Sequence, residues 1–152
     1  MPRGTRRLPS SCVQRLRAAD LIVHAGDLNT VEVLDELRGL GEVVAVHGNV
    51  DDAALRATLP ASATVMADGR RLAITHDGGP ARGRLERLRR RFPQADAVIF
   101  GHSHIPLHER APDGFQILNP GSPTERRRAP HHTMAIAALN AGRLAFQVVE
   151  LD

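Results

Sequence analysis

The stretch Ala97-Val98-Ile99-Phe100-Gly101-His102-Ser103-His104-Ile105-Pro106 sets four apolar residues in front of a glycine and two imidazoles. An apolar run of this length, without alternation, reads as a buried parallel strand covered on both faces, and the imidazoles fall just past its carboxyl end. Three earlier runs repeat the arrangement: Leu21-Ile22-Val23 leads into Asp27, Val43-Val44-Ala45-Val46 into Asn49, and Leu72-Ala73-Ile74 into His76. Open α/β sheets form their ligand crevice beyond the carboxyl ends of the strands. Four such strands would deliver oxygen and imidazole donors to one rim, a pattern that packing alone does not require.

Between and after these strands the periodicity changes. Ser10 or Ser11 is placed to cap a short helix running to about Ala19, and Thr30 to cap a helix bearing Val31, Leu34 and Leu37 that Gly39 or Gly41 ends. Residues 53–58 read as a short helical piece, and residues 81–92 as a helix with Leu85 and Leu88 among arginines, closed by Pro93. Asp68-Gly69 between two strand-like segments is a strong two-residue hairpin signal, and Asp113-Gly114 and Asn140-Ala141-Gly142 separate further strand pairs. Alternating βα units followed by hairpins predict an α/β protein, a layered α/β/β/α sandwich in which residues 1–152 make a single domain. A chain of this size buries roughly 70% of the surface its unfolded form exposes, enough for a core.

Composition narrows the function. With no Trp, no Tyr and four Phe, the core must be aliphatic. All 20 basic residues are Arg, as a GC-rich coding bias gives, and net charge is only +3. Without aromatic side chains to stack bases, nucleic acid is not an expected partner. Arg87, Arg89, Arg90 and Arg91 are predicted to form the solvated face of a helix, and Arg126 to Arg128 a loop tip. The lone Cys12 excludes an intrachain disulfide and a thiolate cluster. No run reaches the roughly 18 apolar residues of a membrane span and the basic N-terminus lacks a signal-peptide core, so a soluble cytoplasmic protein is expected.

The donor residues have individual chemistry. Asp27, after Gly26, offers two oxygens and so is able to bridge two metal ions, which lie about 3.5 to 4 Å apart in binuclear hydrolases. Asn49, after Gly48, offers a neutral carbonyl oxygen, and His76 an imidazole. His102 and His104, two apart in extended backbone, would reach the same side. Singly, each has an ordinary explanation: Gly-Asp makes turns, Gly-Asn caps helices, and a histidine at a strand end is often just hydrogen-bonded. His24 and His47 lie in apolar strands and read as hydrogen-bonded core residues or supports behind the ligands; His108, His131 and His132 read as solvent-facing. Asn119-Pro120-Gly121-Ser122 is a turn by composition.

Taken in order, residues 21–27 (LIVHAGD), 46–51 (VHGNVD), 74–76 (ITH), 100–106 (FGHSHIP) and 119–122 (NPGS) resemble the small single-domain metallophosphoesterases of the calcineurin-like superfamily. The likeness is strongest to the bacterial and archaeal phosphodiesterase group, which is also similar to the retromer subunit of this fold, and it covers essentially the whole chain. The resemblance implies a metallophosphoesterase-type sandwich and two divalent cations. By it Asp27 bridges the two, Asn49, His76 and His102 complete one site and serve catalysis with Asp27, and His104 belongs to the other. Nitrogen and oxygen donors without sulfur favour Mn²⁺, Fe, Zn²⁺ or Ni²⁺ over Cu(I) without choosing among the four, and Mn²⁺ is the ion expected first. The reaction implied is hydrolysis of a small phosphodiester or phosphomonoester by a metal-bridging hydroxide. A homo-oligomer is left open. The alternative is a non-catalytic interaction module on the same fold, with an incomplete metal site.

Two departures from the family pattern carry expectations. The family opens with a strand ending in Asp-x-His, whereas Met1-Pro2-Arg3-Gly4 resembles the residues immediately after that motif. The fold is therefore expected to lack its first strand and one metal site to be incomplete, through a start codon placed too far downstream. Burying about five aliphatic side chains stabilises by order 10 kcal/mol, comparable with the 5 to 15 kcal/mol of a whole domain. Second, Val50 stands where many larger relatives carry a histidine that assists the leaving group. Valine transfers no proton, so either good leaving groups are expected to be preferred, or a water, His24 or Asp51 to compensate.

Overall fold

The structure, a computed structural model, describes residues 7–151, so the reading of residues 1–4 lies outside the described residues. The elements run α1 (Ser10–Arg17), β1 (Ile22–His24), α2 (Val31–Arg38), β2 (Val43–Ala45), α3 (Ala53–Thr58), β3 (Ser62–Ala67) and β4 (Arg70–Thr75). They continue with α4 (Arg84–Arg91), β5 (Ala97–Ile99), β6 (Leu107–Arg110), β7 (Gln116–Asn119), β8 (His132–Asn140) and β9 (Arg143–Leu151). The ladders fall into three groups: parallel β1-β2, a five-stranded sheet ordered β3-β4-β5-β7-β6, and the hairpin β8-β9.

Three apolar cores give the layer order. Leu34 and Leu37 of α2, Leu55 of α3 and Leu16 of α1 pack with Val43 and Ala45 of β2. Val23, Ala25, Val44 and Val46 then meet Ile74, Ile99 and Leu118 from the five-stranded sheet and Ala135, Phe146 and Val148 from the hairpin. The far face of that sheet, through Ala73, Val98 and Ile117, takes Leu88 and Leu85 of α4. Adjacent residues of β4, β5 and β7 thus enter opposite cores, because successive side chains on a strand alternate sides. This explains why the runs at 72–74 and 97–100 are apolar without interruption, and it is the expected α/β/β/α layering.

Local sequence explains most boundaries. Asp68 (φ 46°) and Gly69 (φ 74°) form the left-handed pair of a two-residue hairpin. The β8-β9 turn is equally tight, made by Ala141 (φ 49°) and Gly142 (φ 71°), so Asn140 lies inside the strand rather than in the turn. Other boundaries correct the sequence reading. Pro9, not Ser10 or Ser11, holds the N-cap position of α1, and the helix stops at Arg17. The helix expected from residue 81 starts at Arg84, because Gly83 is left-handed (φ 67°) and breaks the turn before it. Its arginines are not simply a solvated face. Arg87 donates to the carbonyls of Gly78 (2.9 Å), Pro80 (2.5 Å) and Arg82 (3.2 Å), while Arg89 pairs with Asp113 at 2.5 Å and lies over the Phe115 ring.

Candidate metal centre

Four strands end on one rim, as their order predicted: Asp27 follows β1, Asn49 follows β2, His76 follows β4 and His102 follows β5. Asp27, His76 and His102 place one ligand atom each within 4.8 Å of one another. Asn49 joins them, its Oδ1 lying 2.9 Å from His76 Nε2 and 3.1 Å from His102 Nδ1. His76 Nε2 is 3.3 Å from Asp27 Oδ1 and 3.2 Å from His102 Nδ1.

The donor chemistry of this cluster fits a cation. His76 Nδ1 lies 2.7 Å from the Ala25 carbonyl, an acceptor only, so Nδ1 carries the proton and donates. In the neutral ring Nε2 is then a bare lone pair facing a carboxylate oxygen and an amide oxygen, which repel it. A proton on Nε2 serves one of these acceptors at a time. A cation among them serves all, and the Ala25 carbonyl behind His76 is the orienting partner that ligating histidines use. Asp27 and His76 are buried, whereas Asn49 is exposed and His102 half-buried, so the cluster opens to solvent on one side.

The backbone is shaped tightly around it. Asp27 (φ 63°), His102 (φ 64°) and His104 (φ 60°) are all left-handed, a conformation costing non-glycine residues roughly 1 to 2 kcal/mol each. This corrects the expectation that His102 and His104 share an extended segment. His104 is not in the cluster. It is buried, and its Nδ1 donates to the Glu125 carbonyl at 2.7 Å, which leaves Nε2 as the free donor atom. Burial, then the neighbouring Arg127 guanidinium, pushes its pKa below the usual histidine value, which keeps the ring neutral.

Asp51, which sequence reasoning offered as a proton donor, does something else. Its buried carboxylate accepts N–H bonds from Asn29 and Gly48, both at 2.7 Å, and so ties the loop carrying Asp27 to the loop carrying Asn49. Asn119, fully buried, donates from Nδ2 to the Gly101 carbonyl (2.8 Å) and Ser103 Oγ (3.1 Å), holding the loop that bears His102. The turn at 119–122 is therefore scaffolding at Asn119. His24 Nδ1 is buried without a hydrogen-bond partner, and burial, with His76 nearby, pushes the ring down to about 3. It cannot protonate a leaving group near neutrality. Arg127, read as a loop tip, reaches back to the His102 carbonyl at 2.9 Å.

The chain is 35% identical over 124 residues to a probable metallophosphoesterase of Methanocaldococcus jannaschii; the alignment covers 79% of this chain but spans only 62% of that relative's length. The fold matches a zinc-complexed Vps29 of Entamoeba histolytica with a TM-score of 0.77 at 21% identity, over 100% of this chain and 94% of the other. It also matches an archaeal phosphodiesterase with a TM-score of 0.70 at 19% identity, over 91% of this chain and 90% of the other. Residues 4–142 match the calcineurin-like phosphoesterase superfamily domain, and the chain belongs to that superfamily.

Proposed function

We propose that this protein is a metal-dependent phosphoesterase acting on small phosphodiesters in the cytoplasm. The observation that carries the reading is the convergence of Asp27, Asn49, His76 and His102, in which the His76 Nε2 lone pair, fixed by the Nδ1 bond to Ala25, faces a carboxylate oxygen and an amide oxygen. In this reading those four hold one divalent cation and His104, with Nε2 left free by its bond to Glu125, contributes to a second shared through Asp27. Mn²⁺ is our first choice of ion, ahead of Fe, Zn²⁺ and Ni²⁺. Bound there, divalent ions supply an acidified water and charge neutralisation for phosphoryl transfer.

The chain's own residues set the rest. Asp27 brings the anionic charge, and the amide of Asn49 adds an oxygen without adding charge. Val50, 36% exposed beside the cluster, has no proton to give, and Asp51 is committed to two backbone N–H groups. With neither available as an acid, diesters with good leaving groups are the preferred substrates. Among the described residues no helix is long and apolar enough to cross a membrane.

The test is hydrolysis of bis(p-nitrophenyl) phosphate by chelator-stripped protein reloaded with Mn²⁺, Zn²⁺ or Ni²⁺. Turnover should return with metal and drop at least 100-fold in Asp27→Asn and His76→Ala. The second reading, an interaction module, is favoured by Val50 and Ile105, which stay 36% and 47% exposed on the loops around the cluster. Stoichiometric metal with no turnover by any reloaded form would decide for it.

A further inference from the structure

Beside the cluster, a cavity of about 350 Å³ is walled by Asn49 and His76 on one side and by His47, Arg56, Asp77 and Arg91 on others. That volume suits a small-molecule group, because ligand pockets run from about 300 to 1,000 Å³. Its charge is distinctive. Arg38, Arg70 and Arg89 all pair with aspartates, yet among the described residues no carboxylate pairs with Arg56 or Arg91. Arg56 is anchored by one Nη2 bond to the carbonyl of Asn49, the same residue that offers its amide to the cluster. Arg91 is exposed, its guanidinium 5.0 Å from the centre of the Phe92 ring. The one carboxylate of the wall, Asp77, already accepts the Gly79 N–H at 2.7 Å, so two guanidiniums face a single, partly engaged acid.

Resting on the phosphoesterase reading, we propose that this cavity is a second anion subsite, and that the substrate is a small phosphodiester carrying a further phosphoryl group held by Arg56 and Arg91. Arginine suits such a group because its planar fork donates to phosphate oxygens in pairs. Since Asn49 and His76 belong to both the cluster and the cavity wall, an ester reacting at the cluster places its non-reacting arm directly at the arginines. No Phe, Tyr or Trp is among the residues that line the cavity, so its two arginines favour recognition of charge over stacking of a base. The Arg56 and Arg91 placement gives the arginine-rich composition a use that a diffuse basic surface would not.

The experiment compares thymidine 5′-(p-nitrophenyl phosphate) with its 3′-phosphorylated counterpart on the metal-loaded protein. The wild type should favour the 3′-phosphorylated ester by about tenfold in kcat/KM, chiefly through KM. Arg56→Gln and Arg91→Gln should each cut that preference at least threefold, and Arg90→Gln, an exposed neighbour on the same helix, should keep it. Calorimetric binding of thymidine 3′,5′-bisphosphate against the 5′-monophosphate, on metal-loaded and metal-stripped protein, gives the same comparison without turnover. A wild-type preference near one in both measurements overturns the subsite, as does a preference that survives both arginine substitutions. If neither ester is cleaved but the bisphosphate binds more tightly in an arginine-dependent way, the phosphoesterase reading fails and the subsite stands.

Discussion

Gly48 shows how little room the centre leaves for variation. A Cβ there would lie 2.1 Å from Asp27 Oδ1 and 2.4 Å from Asp27 N, a collision with backbone and carboxylate that no rotamer relieves. Gly48→Ala should therefore push Asp27 off its position and weaken metal binding by at least the 10- to 100-fold that loss of an orienting contact brings. Competition against a chromophoric chelator measures it, and unchanged affinity would refute the tight approach of the two loops. Asp51 makes a complementary case. Each of its oxygens takes one N–H, from Asn29 and from Gly48, so Asp51→Asn must face one of those donors with an NH₂ group. A buried donor left unsatisfied costs about 1 to 3 kcal/mol, and the urea midpoint of metal-free Asp51→Asn should fall accordingly.

At the scale of elements, the segment between His76 and α4 is held by arginine rather than by a ladder. Arg87 collects the carbonyls of Gly78, Pro80 and Arg82, and Arg84 binds the Gly79 carbonyl twice while lying 5.0 Å from the Phe100 ring centre. Arg87→Ala should loosen residues 77–83, read as faster amide exchange there than in β5, at a cost of about 1 kcal/mol. Such a role was not legible beforehand. Where backbone carbonyls point depends on the finished loop, and a run of arginines among leucines looks like any solvated helix. The legible features came from short-range rules: Asp68-Gly69 demands a tight hairpin, and uninterrupted aliphatic runs demand strands buried on both faces. The convergence of Asp27, Asn49, His76 and His102 was readable because each ends such a run. The left-handed backbone at His102 and His104 was not, because strand-like spacing says nothing of φ beyond the strand, and the separate setting of His104 came from the family resemblance alone, since spacing put both imidazoles on one side.

For the molecule as a whole, pH acts through buried neutral groups. Burial pushes His24 down to about 3 from the ordinary 6.5, with His76 adding to the effect. The unfolded chain takes up this proton near pH 6.5 and the native protein does not until near 3. Stability is thus complete above about pH 7 and falls as pH drops through 6.5 towards 3, by up to about 1.4 kcal/mol per pH unit. Urea midpoints of metal-free protein at pH 7.5 and 5 should show the slope, and His24→Gln should flatten it. Cys12 offers a second global readout. It is 2% exposed and burial pushes its thiol up to about 11, with Arg15 opposing, so it should resist alkylation at pH 8 until denaturant exposes it. A modification rate in native buffer equal to that in urea would contradict the packing of α1. The ladder pattern has one more consequence. Asp27 and Asn49 hang from the β1-β2 pair, while His76 and His102 hang from the five-stranded sheet, and no ladder among the described residues joins the two. An ion gripping all four would act as a rivet across that seam, so chelation should let the two sheets breathe apart, and the melting temperature should track free ion concentration by mass action.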